Sequence, residues 1–305
     1  MKIISYINDA NLLNTLQAFM DTQSLSAMMQ TCKLMRFGIK RFLKSREPRT
    51  LSPNEFWYWS RSDRDCVLRM ICDPGFNQIL EIDSLPKFLE WLVFADPFNM
   101  PLNPGVLPSG IDVLKFGRKF NKELSVGVLP KHLRKLVFGH EFNKPLGVDV
   151  LPKGLKCLEF DSEFNQPLGK GVLPKGLTHL KLGHSFIHKL EKGVLPKTLT
   201  HLELSHKFNQ PLDVGDLPNG LTYLKFGWWF KQPIEKGVLP PSLTHLEFGD
   251  YFNQPLGECV LPPSLTHLTF GTLFKQPLDV ELLPKGLVEL KFSKYYPFAH
   301  PFEQN

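Results

Sequence analysis

The sequence predicts an α+β chain in which a short helical segment leads into a parallel β-solenoid with one strand per coil. A Phe recurs every 22 residues, from Phe76 through Phe98, Phe120, Phe142, Phe164, Phe186, Phe208, Phe230 and Phe252 to Phe274. A Leu-Pro pair follows each of them at a constant distance, from Leu85-Pro86 to Leu283-Pro284. Between Leu-Pro and the next Phe, apolar and polar residues alternate as in a half-buried strand, Leu180 and Leu182 being one example. One short strand per unit cannot bury its apolar side alone, so successive coils must stack it into a parallel sheet. The 26 Pro among 305 residues fit this reading, because Pro at that level is tolerated only where it falls at one place in a repeating unit.

Residues 1–50 carry no trace of the repeat and show helical spacing instead. Leu13, Leu16 and Met20 share one face, and Leu25, Met28, Met29 and Cys32 another, with Asp21-Thr22-Gln23-Ser24 between them as a stop and cap. Ile39, Phe42 and Leu43 predict a third short helix. Three such helices are too few for a core of their own, so this segment is expected to dock on the solenoid or on a partner.

Residues 51–75 read as a degenerate capping coil: Val67, Met70 and Cys72 fall in phase with the later strands, and Phe56, Trp57, Tyr58 and Trp59 would cover one end. Ten 22-residue repeats occupy 76–295 and 296–305 form the C-terminal cap, with Tyr295-Tyr296-Pro297-Phe298 replacing the next turn and closing the array. Within each repeat the Phe, Leu and Pro columns are expected to be internal. The Asn of Phe142-Asn143, Phe164-Asn165, Phe208-Asn209 and Phe252-Asn253 is expected to bond main-chain groups in a tight bend. Gly117, Gly139, Gly183, Gly227, Gly249 and Gly271 end the strands.

Charge, cysteines and hydropathy exclude several classes. Residues 1–50 hold eight Lys or Arg against three Asp or Glu, which leaves the array almost neutral within a total of +6. A nucleic-acid solenoid needs a continuous basic track, so no nucleic-acid partner is expected. Five scattered cysteines without CxxC spacing read as reduced thiols. With no run of about 20 apolar residues and no leader pattern, the chain is expected to be soluble, intracellular and cytoplasmic, with no membrane partner.

The outward strand positions carry two columns. One runs Glu159, Lys181, Glu203, Lys225, Glu247, alternating in sign so that neighbours neutralise each other, unlike a carboxylate pair poised for acid–base work. The other runs Cys157, His179, His201, Tyr223, His245, His267. Its adjacent histidines are the only metal-like feature, but the spacing supplies neither four ligands nor partners for the second ring nitrogens, so neither metal nor cofactor is expected. His140, His184 and His206 form a second group past the strand ends. The strands present the long ordered row of variable side chains. The expected recognition face is therefore the sheet carrying His179, His201, Tyr223, Lys225, His245 and Glu247, with Trp228 or Trp229 at its edge. The alternative surface is the Leu-Pro edge with its lysine row Lys131, Lys153, Lys175 and Lys197.

The unit Leu-Pro-x-x-Leu-x-x-Leu-x-Phe-Gly-x-x-Phe-Asn-x-Pro-Leu resembles the FNIP repeat, a variant of leucine-rich repeats abundant in amoebae and giant DNA viruses, over about 220 of the 305 residues. The Asn that builds the internal ladder of ordinary leucine-rich repeats is absent from its usual place. Leu12-Leu13-Asn14-Thr15-Leu16-Gln17-Ala18-Phe19-Met20-Asp21, followed by Ser24-Leu25 and Cys32-Lys33, resembles an F-box, and the pairing of F-box with FNIP repeats is a viral architecture. That resemblance implies a Skp-type adaptor of a cullin ubiquitin ligase held by Leu12, Leu13, Leu16, Phe19, Met20 and Leu25, with a target protein held by the solenoid and no catalytic residue in the chain. The alternative is a scaffold whose helices only cap the array.

Overall fold

A computed structural model describes residues 67–298 and the backbone of 49–51. Twelve strands form one parallel sheet in strict chain order. They start with β1 (Arg49–Leu51), β2 (Arg69–Cys72) and β3 (Trp91–Val93), and continue at 22-residue steps to β12 (Glu289–Lys291). From β2 onward, Cα partners lie 22 residues apart, as in Met70 with Leu92. Arg49 pairs with Met70 instead, a step of 21. That shortened first coil breaks the phase, which is why β1 escapes a search by fixed period and why it begins inside the segment read as helical. The described residues contain no α-helix, only a 3-10 turn at Val280–Leu282, and none is long and apolar enough to cross a membrane. The helices expected in 1–50, and with them the α part of the fold class, lie outside the described residues.

From β3 onward the middle residue of each strand points inward and is buried, as at Leu92, Leu114, Leu136 and Leu158, each 0% exposed. Behind it stand two interleaved aromatic columns. The recurring Phe forms one, and Phe94, Phe116, Phe138, Phe160, Phe226, Phe248 and Phe270 the other, with Leu182 and Leu204 substituting in two coils. Ring centroids are 3.9 Å apart within a coil (Phe116–Phe120) and 5.5 Å between coils (Phe116–Phe138), all nearly parallel. Identical rings repeat at the strand spacing because the register never slips, so most rings contact a copy of themselves in a neighbouring coil. Val67, Met70 and Cys72 are buried in the same core.

Two turns close each coil. The Pro carbonyl of Leu-Pro accepts from the N–H of the Leu three residues on, as Pro130 from Leu133 at 3.1 Å. A Pro needs no partner for a donor it lacks, so it fits this corner without leaving a buried N–H. At the strand end, a Cβ on Gly139 would sit 2.0 Å from the carbonyl oxygen of Gly117 in the preceding coil. Coils approach too closely there for a side chain. Where the column carries Ser205, its hydroxyl is buried and donates to the Phe186 carbonyl.

The asparagines after the Phe column do bond main-chain groups at the bends, and the groups they bond belong to the next coil. Asn121 Oδ1 accepts from the N–H of Asn143 at 3.0 Å, and Asn143 Oδ1 from that of Asn165 at 3.0 Å, and so along the array. A stack of bends leaves one backbone N–H per coil facing the previous coil with no strand to accept it, and the Asn side chain reaches that donor. An asparagine ladder therefore exists, at a place other than the usual one.

Candidate functional site

Strands β7 (His179–Lys181), β8 (His201–Glu203), β9 (Tyr223–Lys225) and β10 (His245–Glu247) are consecutive and in register. The sheet therefore gathers His179, His201, Tyr223, Lys225, His245 and Glu247 on one face, and β11 (His267–Thr269) extends the row. Trp228 lies in the turn after β9, 53% exposed, with its ring 4.7 Å from His206 and nearly parallel to it. Trp229 is also outside, 56% exposed and stacked on Tyr251. The candidate adaptor residues Leu12, Leu13, Leu16, Phe19, Met20 and Leu25 lie outside the described residues.

The charged column is paired off. Lys225 Nζ meets Glu247 at 2.8 Å and Lys181 meets Glu203 at 3.4 Å. Glu159 is taken diagonally by Lys135 at 2.6 Å, a residue of the other column. Tyr223 donates its hydroxyl to Glu247 at 2.7 Å. Burial alone would raise the Glu247 carboxyl, yet the bonds from Lys225 and Tyr223 hold it below the usual range. Glu159 is depressed in the same way by Lys135. A general acid needs the opposite shift. Burial, then the Glu159 charge, pushes the Cys157 thiol up to about 11, so it is no ready nucleophile.

The histidines form two face-to-face pairs, His179–His201 with centroids 4.2 Å apart and His245–His267 at 4.1 Å, flanking Tyr223. Lone pairs on parallel stacked rings run side by side and do not converge on one ion, so neither pair makes a chelate. A threonine ladder, which sequence reasoning missed, orients the rings. Thr178, Thr200, Thr244 and Thr266 each accept or donate at the Nδ1 of the following histidine, at 2.9, 2.9, 2.9 and 2.8 Å. Each hydroxyl also donates to the backbone carbonyl one coil back, at 3.0, 3.1, 3.0 and 3.0 Å. The readable signal was the run of Thr-His pairs at the repeat period. His140 and His206, in the second group, have buried Nδ1 atoms with no partner.

A shallow groove of about 190 Å³ runs over Cys157, His179, His201 and Tyr223. Larger recesses of about 860 and 560 Å³ open on the Leu-Pro side, between loop tips lined by Leu239, Pro241, Val260 and Pro263 and by Lys197, Leu217 and Pro218. They are wider, and the residues around them also vary, one position reading Lys197, Asn219, Pro241, Pro263 and Lys285 in successive coils.

The FNIP Repeat family model matches residues 76–119, 120–162, 164–207, 208–251 and 252–295, each match spanning about two coils. The chain belongs to the FNIP repeat family. A solved structure similar to this FNIP chain, "The crystal structure of CroV588 a novel circular LRR protein structure", is 36% identical, with a TM-score of 0.60. The match covers 75% of this chain and 40% of that one. No curated protein matches.

Proposed function

We propose that this FNIP chain is a non-catalytic interaction scaffold that holds a protein partner on the open face of its sheet. The observation that carries the reading is the contrast between the two sides of each strand. Inward positions repeat Leu and Phe almost without change, while the outward row from β6 (Cys157–Glu159) to β11 varies in an ordered ladder of rings and paired charges. Rings already stacked on their neighbours offer contact area with little rotamer freedom to lose on binding. The depressed carboxylates of the face support a binding role over hydrolysis. Replacing Tyr223 and Trp228 together by Ala is expected to weaken partner capture several-fold while leaving circular dichroism and melting nearly intact. Normal capture by that variant, with loss on substituting Lys131, Lys153, Lys175 and Lys197, assigns the Leu-Pro edge instead.

We further propose that the scaffold serves as the substrate receptor of a cullin ubiquitin ligase. The F-box resemblance of Leu12, Leu13, Leu16, Phe19, Met20 and Leu25 supports this, and the target would lie on the sheet. Full-length protein is expected to retain purified Skp-type adaptor at micromolar concentration, with loss on Leu16→Asp. Failure to retain it leaves the scaffold without a ligase.

A further inference from the structure

The threonine ladder bears on which nitrogen of each histidine carries the proton. A hydroxyl owns one proton, and a backbone carbonyl can only accept. The hydroxyls of Thr178, Thr200, Thr244 and Thr266 lie in donor geometry to the carbonyls of Lys156, Thr178, Thr222 and Thr244, each of which also accepts two backbone N–H groups. With the hydroxyl proton on the carbonyl, each threonine oxygen accepts from the ring, an arrangement that places the ring proton on Nδ1 and the lone pair on Nε2. No hydrogen bond from the described residues reaches those Nε2 atoms. The face thus presents two pairs of parallel, unfilled acceptors, His179 with His201 and His245 with His267.

Two parallel acceptors on rings 4.2 and 4.1 Å apart can be bridged by the planar fork of a guanidinium, whose paired N–H bonds lie closer together and reach them with slightly bent bonds. An ammonium, a point charge with diverging donors, fits them less well. The pairs are centred three coils apart, which at about 4.8 Å per strand is about 14 Å. An extended peptide lying along the solenoid axis advances about 3.4 Å per residue and turns the same side down at even steps, so four residues also cover about 14 Å. The midpoint of the two pairs is Tyr223. We propose that the sheet face binds an extended peptide with two arginines four residues apart and an apolar residue midway, each guanidinium bridging one stacked histidine pair. This rests on the sheet being the recognition face and names what it recognises.

The charges around the row do not oppose such a ligand. Along the row the rings meet Cys157, Tyr223 and Glu289, and beside it Lys181, Glu203, Lys225, Glu247 and Thr269. Lys181 and Lys225 are neutralised by Glu203 and Glu247, and Glu289 is paired with Lys291. Burial, then the neighbouring His179 and His245, holds His201 below the usual histidine range, so its ring stays an acceptor at neutral pH. Protonation of His201 converts its acceptor into a donor and adds positive charge against the guanidinium, so binding is lost as pH falls through and below the histidine range.

The test uses the full chain and an acetylated, amidated probe peptide, Ser-Arg-Ser-Leu-Ser-Arg-Ser, read by fluorescence anisotropy. Binding is expected at pH 7.5 and is weakened about tenfold or more by pH 5.5, by moving one Arg a single residue, or by Lys in place of Arg. Nitrogen NMR is expected to show the Nδ1–H form for His179, His201, His245 and His267. Thr200→Val with Thr244→Val keeps the ring stack but frees the tautomer, and should weaken the probe while leaving melting unchanged. No binding, binding indifferent to spacing or pH, or Nε2–H rings each overturn the proposal. Peptides selected from a random library separate the two levels of the argument. Ligands lost with Tyr223→Ala but lacking paired Arg sink the proposal and spare the sheet, whereas ligands lost only with the Lys131 to Lys197 row sink the sheet reading itself.

Discussion

Phe164 is 1% exposed, with rings of Phe142, Phe160 and Phe186 at 6.1, 3.7 and 6.2 Å. Truncation there opens a void that neighbouring coils cannot collapse into, because the sheet ladder holds them apart. Phe164→Ala is expected to cost about 3–5 kcal/mol in chemical unfolding, and a loss below about 1 kcal/mol would contradict the packing of the ring between coils. The Phe period announced this burial directly. The role of Thr200 was not legible in the same way. A threonine before a histidine on a strand is common chemistry, and only the stacking of coils brings the Thr178 carbonyl within reach of its hydroxyl at 3.1 Å.

At the scale of the strand, the ladder is held by backbone pairing and trimmed by side-chain pairs between coils. Glu159 and Glu247 have folded-state values below the usual carboxylate range, so their contribution is present above about pH 4.3 and is lost as pH falls from there through the depressed folded values. The pairs are partly exposed, so each is worth no more than about 0.5–1 kcal/mol. Melting temperature is expected to decline from about pH 4.5 downward, and Glu247→Gln should shallow that decline. The alternation of sign along the column foretold the pairs Lys181–Glu203 and Lys225–Glu247. It did not foretell Lys135–Glu159, which crosses between columns because Lys135 is long enough to reach diagonally. The asparagine ladder is the stronger inter-coil link. Asn143→Ala leaves the N–H of Asn165 and the amide of Gln166 without an acceptor. About 1–3 kcal/mol is expected to be lost in thermal or chemical unfolding.

For the whole molecule, each coil contacts only its neighbours, so stability is a sum of local terms and the array is modular. Residues 164–207 form one family match of two coils. Removing them joins Glu163 to Phe208, which stands at the same place in the repeat as Phe164. The shortened chain is expected to keep a sheet signal per residue close to that of the parent and to unfold with a smaller denaturant slope. A molten or aggregated product would show that the coils are less independent than their contacts imply. The same deletion removes His179 and His201, so it is also expected to abolish binding of the paired-arginine probe without unfolding the rest.

The period, the buried columns and the outward rows were all determined by the sequence, because a strict 22-residue recurrence admits one stacking register and a strand period of two assigns every side chain to a face. What the tertiary structure decided are the relations across coils: the Asn121-to-Asn143 ladder, the diagonal Lys135–Glu159 pair and the threonine bonds that orient His179, His201, His245 and His267. Those partners stand 22 or more residues apart in most cases, and the distance that joins them is the separation between coils, which no spacing along one chain expresses.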